Sequence, residues 1–278
     1  MLIKNEKGEQ VKSGVNNLSD KTVIIRAIED NQAEFFKCYA KTAKGSVRHD
    51  ATILLIKSGI PLRAFNGVFY NNFPAAAAEN KIEEIKDAFT AEGLPFMWWI
   101  TPSSRPLNLE NSIEKHGLKL LARTPGMALI MSNLRANAPL SGALTVKKVG
   151  DEEEMVLWME TALQSFGIPL TFPEQCLELF NNMRLDKSCL FYLGYGNEGA
   201  VSVSLLFCGA ATAGIYWVGT LASARNKGAG TAVTLQALLD ARERGYSLAT
   251  LKSSAFGFPV YKKLGFNEYC NMGFCVSV

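Results

Sequence analysis

Twenty-six consecutive residues, 199–224, carry no charge, and a run of that length must be hidden from water in one of two ways. It either crosses a bilayer as a helix of about 20 apolar residues or folds back on itself inside a globule. The run is broken by the small residues Gly209, Ala210, Ala211, Thr212, Ala213 and Gly214, and its flanks, 201–207 and 215–221, are β-branched and aromatic. That pattern predicts two buried strands joined by a tight turn. A membrane-bound role is set aside on the same ground.

The strands need a domain around them. At 278 residues, with 48% hydrophobic and 20% charged side chains, the chain is long enough for two globular domains and far from the composition of disorder. Its net charge is only +3, from 29 Lys and Arg against 26 Asp and Glu. A protein that lives on phosphate contacts with nucleic acid carries a larger or more clustered excess, so no nucleic-acid partner is expected. Cys38, Cys176, Cys189, Cys208, Cys270 and Cys275 contain no CxxC pair, and His49 and His116 are the only histidines. No metal site is expected. The polar stretch 1–10 lacks the apolar run of a secretory signal, so reduced thiols in the cytoplasm are the expectation.

The C-terminal half is the better punctuated. A strand is predicted over 143–149, helices over 151–166 and 177–183, and a strand over 188–195 before the uncharged pair. A helix over 228–244 stopped by Gly245, a strand over 248–251, a short helix over 258–264 closed by Gly265, and two strands with a turn near 271–273 complete it. Alternating elements of this kind imply an α/β fold, a mixed sheet with helices on both faces. The first half repeats the order: helix 75–92, Gly93, strand 95–100, short helix 109–116, Gly117, then two strands within 118–131 with a turn at Pro125 and Gly126. The interval Gly93 to Gly117 is 24 residues and Gly245 to Gly265 is 20. Two domains, 1–138 and 143–278, joined by a linker within 132–142, are therefore expected.

Chemistry concentrates at Arg225, Asn226, Lys227, Gly228, Ala229, Gly230 and Thr231, between an apolar strand and a helix start. Glycines there let backbone approach a ligand, and the free amides of a helix N-terminus bind phosphate oxygens. The loop lacks the third glycine of a dinucleotide fingerprint and the Lys-Ser or Lys-Thr of a Walker A loop. By itself it is equally readable as a tight βα turn. Followed by a helix, a strand and Val260, Tyr261, Lys262, Lys263, Leu264, Gly265, Phe266, the Arg-x-x-Gly-x-Gly pattern resembles the GNAT superfamily of acyl-CoA-dependent N-acyltransferases over 146–278.

The resemblance implies an N-acetyltransferase that moves an acetyl group from acetyl-CoA to a primary amine, with no metal. It implies that the amides of 226–231 hold the pyrophosphate, with Arg225 opening the loop. Val218, Gly219 and Thr220 would pair with the pantetheine arm, and Tyr261 would protonate the departing thiolate. Ser254 stands where relatives often carry an asparagine, and 215–221 offers no glutamate as general base. Glu198, Glu174 and Tyr216 are left as candidates. The missing glutamate keeps a non-catalytic acyl-CoA-binding or interaction protein as the alternative; nucleotide binding through the Gly228 loop is a third. In the first half, Ile113 aligns with Tyr261, and Ala75 to Ala78 replace the glycine loop. That half resembles a degenerate copy without cradle or acid, with His116 as a helix-end cation and Trp98 and Trp99 as packing. Acceptor contacts fall in relatives on the segment 165–173, where Phe166, Ile168, Leu170 and Phe172 suggest an apolar wall. Lys252, Lys262 and Lys263 read as solvated lysines that could draw in the ribose phosphate.

Overall fold

The computed structural model describes the chain except residues 1, 5–9, 13, 14, 16, 137–143, 198, 210 and 278. A short antiparallel pair, β1 (Leu2–Lys4) and β2 (Gln10–Lys12), precedes helix α1 (Lys21–Lys37). There follow β3 (Ser46–His49), β4 (Leu54–Lys57), β5 (Gly67–Phe69), α2 (Ala78–Thr90), β6 (Met97–Ile100), α3 (Leu109–Lys115) and β7 (Leu118–Ile130). The second half runs β8 (Thr145–Lys148), α4 (Glu152–Phe166), α5 (Pro173–Arg184), β9 (Cys189–Gly196), β10 (Gly199–Gly209) and β11 (Thr212–Thr220). It ends with α6 (Ala229–Glu243), β12 (Leu248–Lys252), α7 (Phe258–Leu264) and β13 (Asn267–Ser277).

The uncharged run is indeed a hairpin, β10 against β11. No helix among the described residues is long and apolar enough to cross a membrane. Part of the expected linker, 137–142, and the first residue of the strand expected over 143–149 lie outside the described residues.

The chain packs as two units, and they are not the consecutive halves. One consists of Met1–Gln32 with Gly126–Tyr269, the other of Ala33–Pro125 with Cys270–Val278. The crossing segments are the two places where a turn between two strands was expected. Residues 118–130 and 267–277 are each one continuous strand, and each changes unit partway along. Pro125, which has no N–H for a strand ladder, marks the changeover in β7 rather than a turn. Gly273 marks a close approach: a Cβ there would lie 3.1 Å from Leu120 Cδ1.

Within the first unit, the sheet runs from residues 126–130 of β7 through β12, β11, β10 and β9 to β8. Every pairing is antiparallel except β11 with β12. In the second unit, β3, β4, β5 and β6 are followed by the end of β13, and only β5 with β6 is parallel. The strands of the two units thus share one plan, in which a parallel step is followed by an antiparallel strand borrowed from the other half of the chain.

Strand alternation splits the first unit's core by face. Tyr192, Leu206, Ile215 and Leu251 pack with α6 residues Leu235 and Leu238 and with Tyr261 and Leu264 of α7. Phe191, adjacent to Tyr192, points the other way, with its ring 4.8 Å from Trp158 of α4. Asp240 of α6 joins the two outermost strands, accepting from Tyr192 Oη at 2.8 Å and pairing with Lys148 Nζ at 2.8 Å. In the second unit Ile113 is fully buried among Ile82, Phe89, Trp98 and Leu118. Trp98 donates to Asn71 Oδ1 at 2.7 Å, Trp99 stacks with Phe69 and meets Phe274 at a tilt, and His116 Nε2 meets Glu79 Oε2 at 2.7 Å.

Candidate functional site

Strand β11 starts as a regular member of the sheet and then leaves it. Its parallel pairing with β12 covers Ala213 to Ile215 against Ala249 to Leu251 and stops there. Opposite, against β10, the register shifts between Leu205↔Tyr216 and Val203↔Gly219, so that Trp217 and Val218 together face Ser204 alone. Trp217 stands at φ +50, a left-handed conformation uncommon for a bulky residue. This β-bulge bends the strand. Beyond Ile215 and Leu251 the two strands diverge, and Val218, Gly219 and Thr220 occupy the departing edge of β11.

The N-terminal part of the chain fixes this strand. Asn31 of α1, fully buried, donates to Gly209 O at 2.9 Å and Thr212 O at 3.1 Å, and accepts from Tyr216 Oη at 2.8 Å. Gly214 has no side chain because Asn31 Oδ1 would lie 2.0 Å from its Cβ. Tyr216 is therefore committed as a donor to Asn31. Of the other base candidates, Glu174 lies exposed in the first turn of α5 and Glu198 falls outside the described residues.

Downstream of β11, a 3-10 turn (Ala222–Ala224) leads to Arg225, to Asn226 at φ +61, and to Gly228 at φ +85, the N-cap of α6. No side chain caps that helix, so its first amides are left for a ligand or water. Ala229 is buried beneath the turn, whereas a Cβ at Gly230 would meet, beyond its chain neighbours and its own helix, only Thr220 Oγ1 among the described residues, at 3.4 Å. Thr231 completes the first turn. Arg225 donates to Thr220 O at 3.2 Å and Ser165 O at 3.4 Å, tying the strand end to α4, and Lys227 donates to Ser223 O at 3.0 Å across the loop.

On the β12 side, Ser254 Oγ accepts from Gly257 N at 3.1 Å, and Ser254 O accepts from Phe258 N at 3.0 Å, so this residue shapes the entry to α7. Tyr261, buried at 6% exposure, belongs to the same packed cluster as Ile215 and Leu251, the last residues of the parallel pairing. Its ring lies beside Gly257, where a Cβ would come within 2.7 Å of it. Burial pushes the phenol well above the ordinary tyrosine range, and its hydroxyl has no hydrogen-bond partner among the described residues.

One lysine was misjudged from sequence. Lys252, the last residue of β12, is half-buried, and desolvation pulls its ammonium well below the usual lysine range; it is no freely solvated surface charge. Lys262 and Lys263 are exposed, and Lys262 donates to Asn267 Oδ1 at 3.1 Å. Among the described residues no three His, Cys, Asp or Glu side chains group as metal ligands would.

No protein-family model matches the sequence, and no curated protein does. Solved structures do. A GCN5-related N-acetyltransferase from Kribbella flavida aligns with 90% of this chain and 95% of its own, at 18% identity and TM-score 0.69. One from Sphaerobacter thermophilus covers 81% and 80%, at 16% identity and TM-score 0.61. A tandem GNAT protein from the clavulanic acid biosynthesis pathway covers 96% and 97%, at 11% identity and TM-score 0.56. With two units of one strand plan and this likeness along nearly its whole length, the chain has the tandem fold of the GNAT acetyltransferases.

Proposed function

We propose that the protein transfers an acetyl group from acetyl-CoA to a primary amine at the diverging edge of β11. The observation that carries this reading is the presence, in one packed unit, of an uncapped α6 N-terminus, opened by Gly228 and Gly230, and of a buried phenol whose hydroxyl has no partner among the described residues. A diphosphate suits the first, because free helix amides and the helix dipole favour anions. The residues contributing are Asn226, Lys227, Gly228, Ala229, Gly230 and Thr231, with Arg225 bracing the loop and Ser254 shaping the opposite lip. The free edge at Val218, Gly219 and Thr220 supplies strand amides for a pantetheine arm.

In the reaction, the amine nitrogen forms a bond to the thioester carbon while negative charge builds on the carbonyl oxygen. A strand amide such as that of Val218 or Gly219 would hold that charge. As the carbon–sulfur bond breaks, the Tyr261 hydroxyl gives its proton to the leaving thiolate, the ammonium proton of the product passes to water, and Tyr261 regains a proton from solvent. A phenol is suited to that role only while protonated, which burial ensures.

The absence of an acidic side chain along 215–221 favours a second reading, a protein that binds acyl-CoA without turning it over. Release of free CoA from acetyl-CoA with a panel of primary amines separates the two. Amine-dependent release is expected; acetyl-CoA binding without any release would establish the second reading.

A further inference from the structure

The face of β11 that meets α4 says what sort of amine can reach the strand. Gly219 has no room for a side chain, since a Cβ there would lie 1.9 Å from Ser165 Oγ and 3.2 Å from the Phe166 ring. The end of α4 therefore presses directly on the backbone assigned to the developing oxyanion. Gly167, at φ +65, stops the helix at that point, and Phe166 is left 49% exposed. Its ring sits edge-on to Trp217, with centroids 5.3 Å apart. Trp217 is the bulge residue, and its unusual backbone is held by rings behind it: Phe180 at 5.4 Å and Trp158 at 6.2 Å. Leu170, also 49% exposed, extends the apolar surface, and no residue of 166–172 is charged.

Resting on the acetyltransferase reading above, we propose that the acceptor is an arylalkyl primary amine, its ring lying on Phe166 and Trp217 while its nitrogen reaches the strand at Val218 and Gly219. An aromatic partner gains both from covering the half-exposed Phe166 and from edge or offset contact with rings that packing already fixes. A strongly hydrated polyamine or amino sugar would lose water against this surface and gain no polar partner from 166–172 except the Thr171 hydroxyl.

The test compares 2-phenylethylamine with ethanolamine, amines of similar basicity, in steady-state kinetics with acetyl-CoA on the full chain. The expected kcat/KM favours phenylethylamine by about tenfold or more, the range open to an apolar contact. Phe166→Ala should bring the ratio towards one, while Phe166→Leu restores part of it and the acetyl-CoA dissociation constant stays put. An unchanged ratio in Phe166→Ala, a preference for ethanolamine, or a Phe166-dependent dimer in light scattering would overturn the proposal. Acetyl-CoA binding by calorimetry is measured beside it. If acetyl-CoA binds but neither amine is acetylated, the acceptor assignment falls; if acetyl-CoA does not bind, the acetyltransferase reading itself has failed.

Discussion

Gly228 and Gly230 look equivalent in sequence and are not equivalent in the fold. Gly228 holds φ +85, so any side chain there strains the turn as well as obstructing it. Gly230 lies in ordinary helical backbone, where a Cβ would make no more than an ordinary contact with Thr220 Oγ1. Gly230→Val should therefore leave the melting temperature near that of the wild type while weakening acetyl-CoA binding by about tenfold or more in calorimetry, through obstruction of the approaching phosphates. Unchanged affinity would remove the phosphate cradle from the α6 N-terminus. Tyr261→Phe is similarly clean, because the hydroxyl has no partner among the described residues to lose. Expected are a kcat lower by roughly 10²-fold, the usual range for a general acid, and acetyl-CoA affinity within a few-fold of wild type. Because burial raises the phenol's pKa, Tyr261 stays protonated up to and beyond about pH 10. The rate should rise with pH as the acceptor amine loses its proton, with no alkaline decline owed to Tyr261. An alkaline limb below pH 9 that disappears in Tyr261→Phe would contradict that assignment.

At the scale of elements, α1 is the piece that sequence reasoning passed over. Asn31 lies 178 residues from the carbonyl of Gly209 that it holds, and nothing in its local pattern distinguishes it from any polar residue on an amphipathic helix. Asn31→Ala removes three buried hydrogen bonds, to Gly209 O, to Thr212 O and from the Tyr216 hydroxyl. At about 1–3 kcal/mol for a buried group left unpaired, the loss of unfolding free energy should be about 3 kcal/mol, measurable by chemical denaturation; a loss near zero would mean that water replaces the amide without penalty. Asp240 of α6 offers a pH-dependent counterpart. Burial opposes ionisation, but the combined hydrogen bonds from Lys148, Tyr192 and Gln236 outweigh it, and the carboxyl is held below its ordinary range. Its contribution is present above the unfolded pKa of about 3.9 and is lost as pH falls through the lower folded value. Asp240→Asn should accordingly destabilise the protein at neutral pH and flatten part of the acid-side fall in melting temperature.

The whole molecule was legible in its parts more than in its assembly. The hairpin β10 and β11, the loop from Arg225 to Thr231, helices α6 and α7 and the repeat of their order were all readable, because period, glycine stops and uncharged length are local signals. The bulge at Trp217 was not, since a register shift depends on the strand opposite. Nor was the crossing of β7 and β13 between units, as Pro125 and Gly273 carry the same local signal whether they turn a chain or pass it along. Among the described residues of the second unit, α2 follows Pro74 and a turn of alanines (Ala75–Ala77) rather than a glycine loop, and Ile113 is sealed in its core, which favours a single site per chain. Titration of the full chain with acetyl-CoA should give a stoichiometry near one, and two equivalent sites would refute the division. A chain beginning at Leu140 would lack residues 126–130, leaving the edge of β12 unpaired and the cluster around Leu129 uncovered. It should be recovered mainly as aggregate by size exclusion.

The borrowed strands carry a consequence for how such a chain can come apart. Because β7 and β13 each run unbroken from one unit into the other, melting one unit frees an end of a strand that the other still holds, and heat should remove both in a single calorimetric transition despite two separate cores. Expressed as separate polypeptides, 1–138 and 143–278 would each hold the strand that the other lacks. They behave, on this reasoning, as a ready-made split protein: inert and sticky apart, and able to complement one another when mixed.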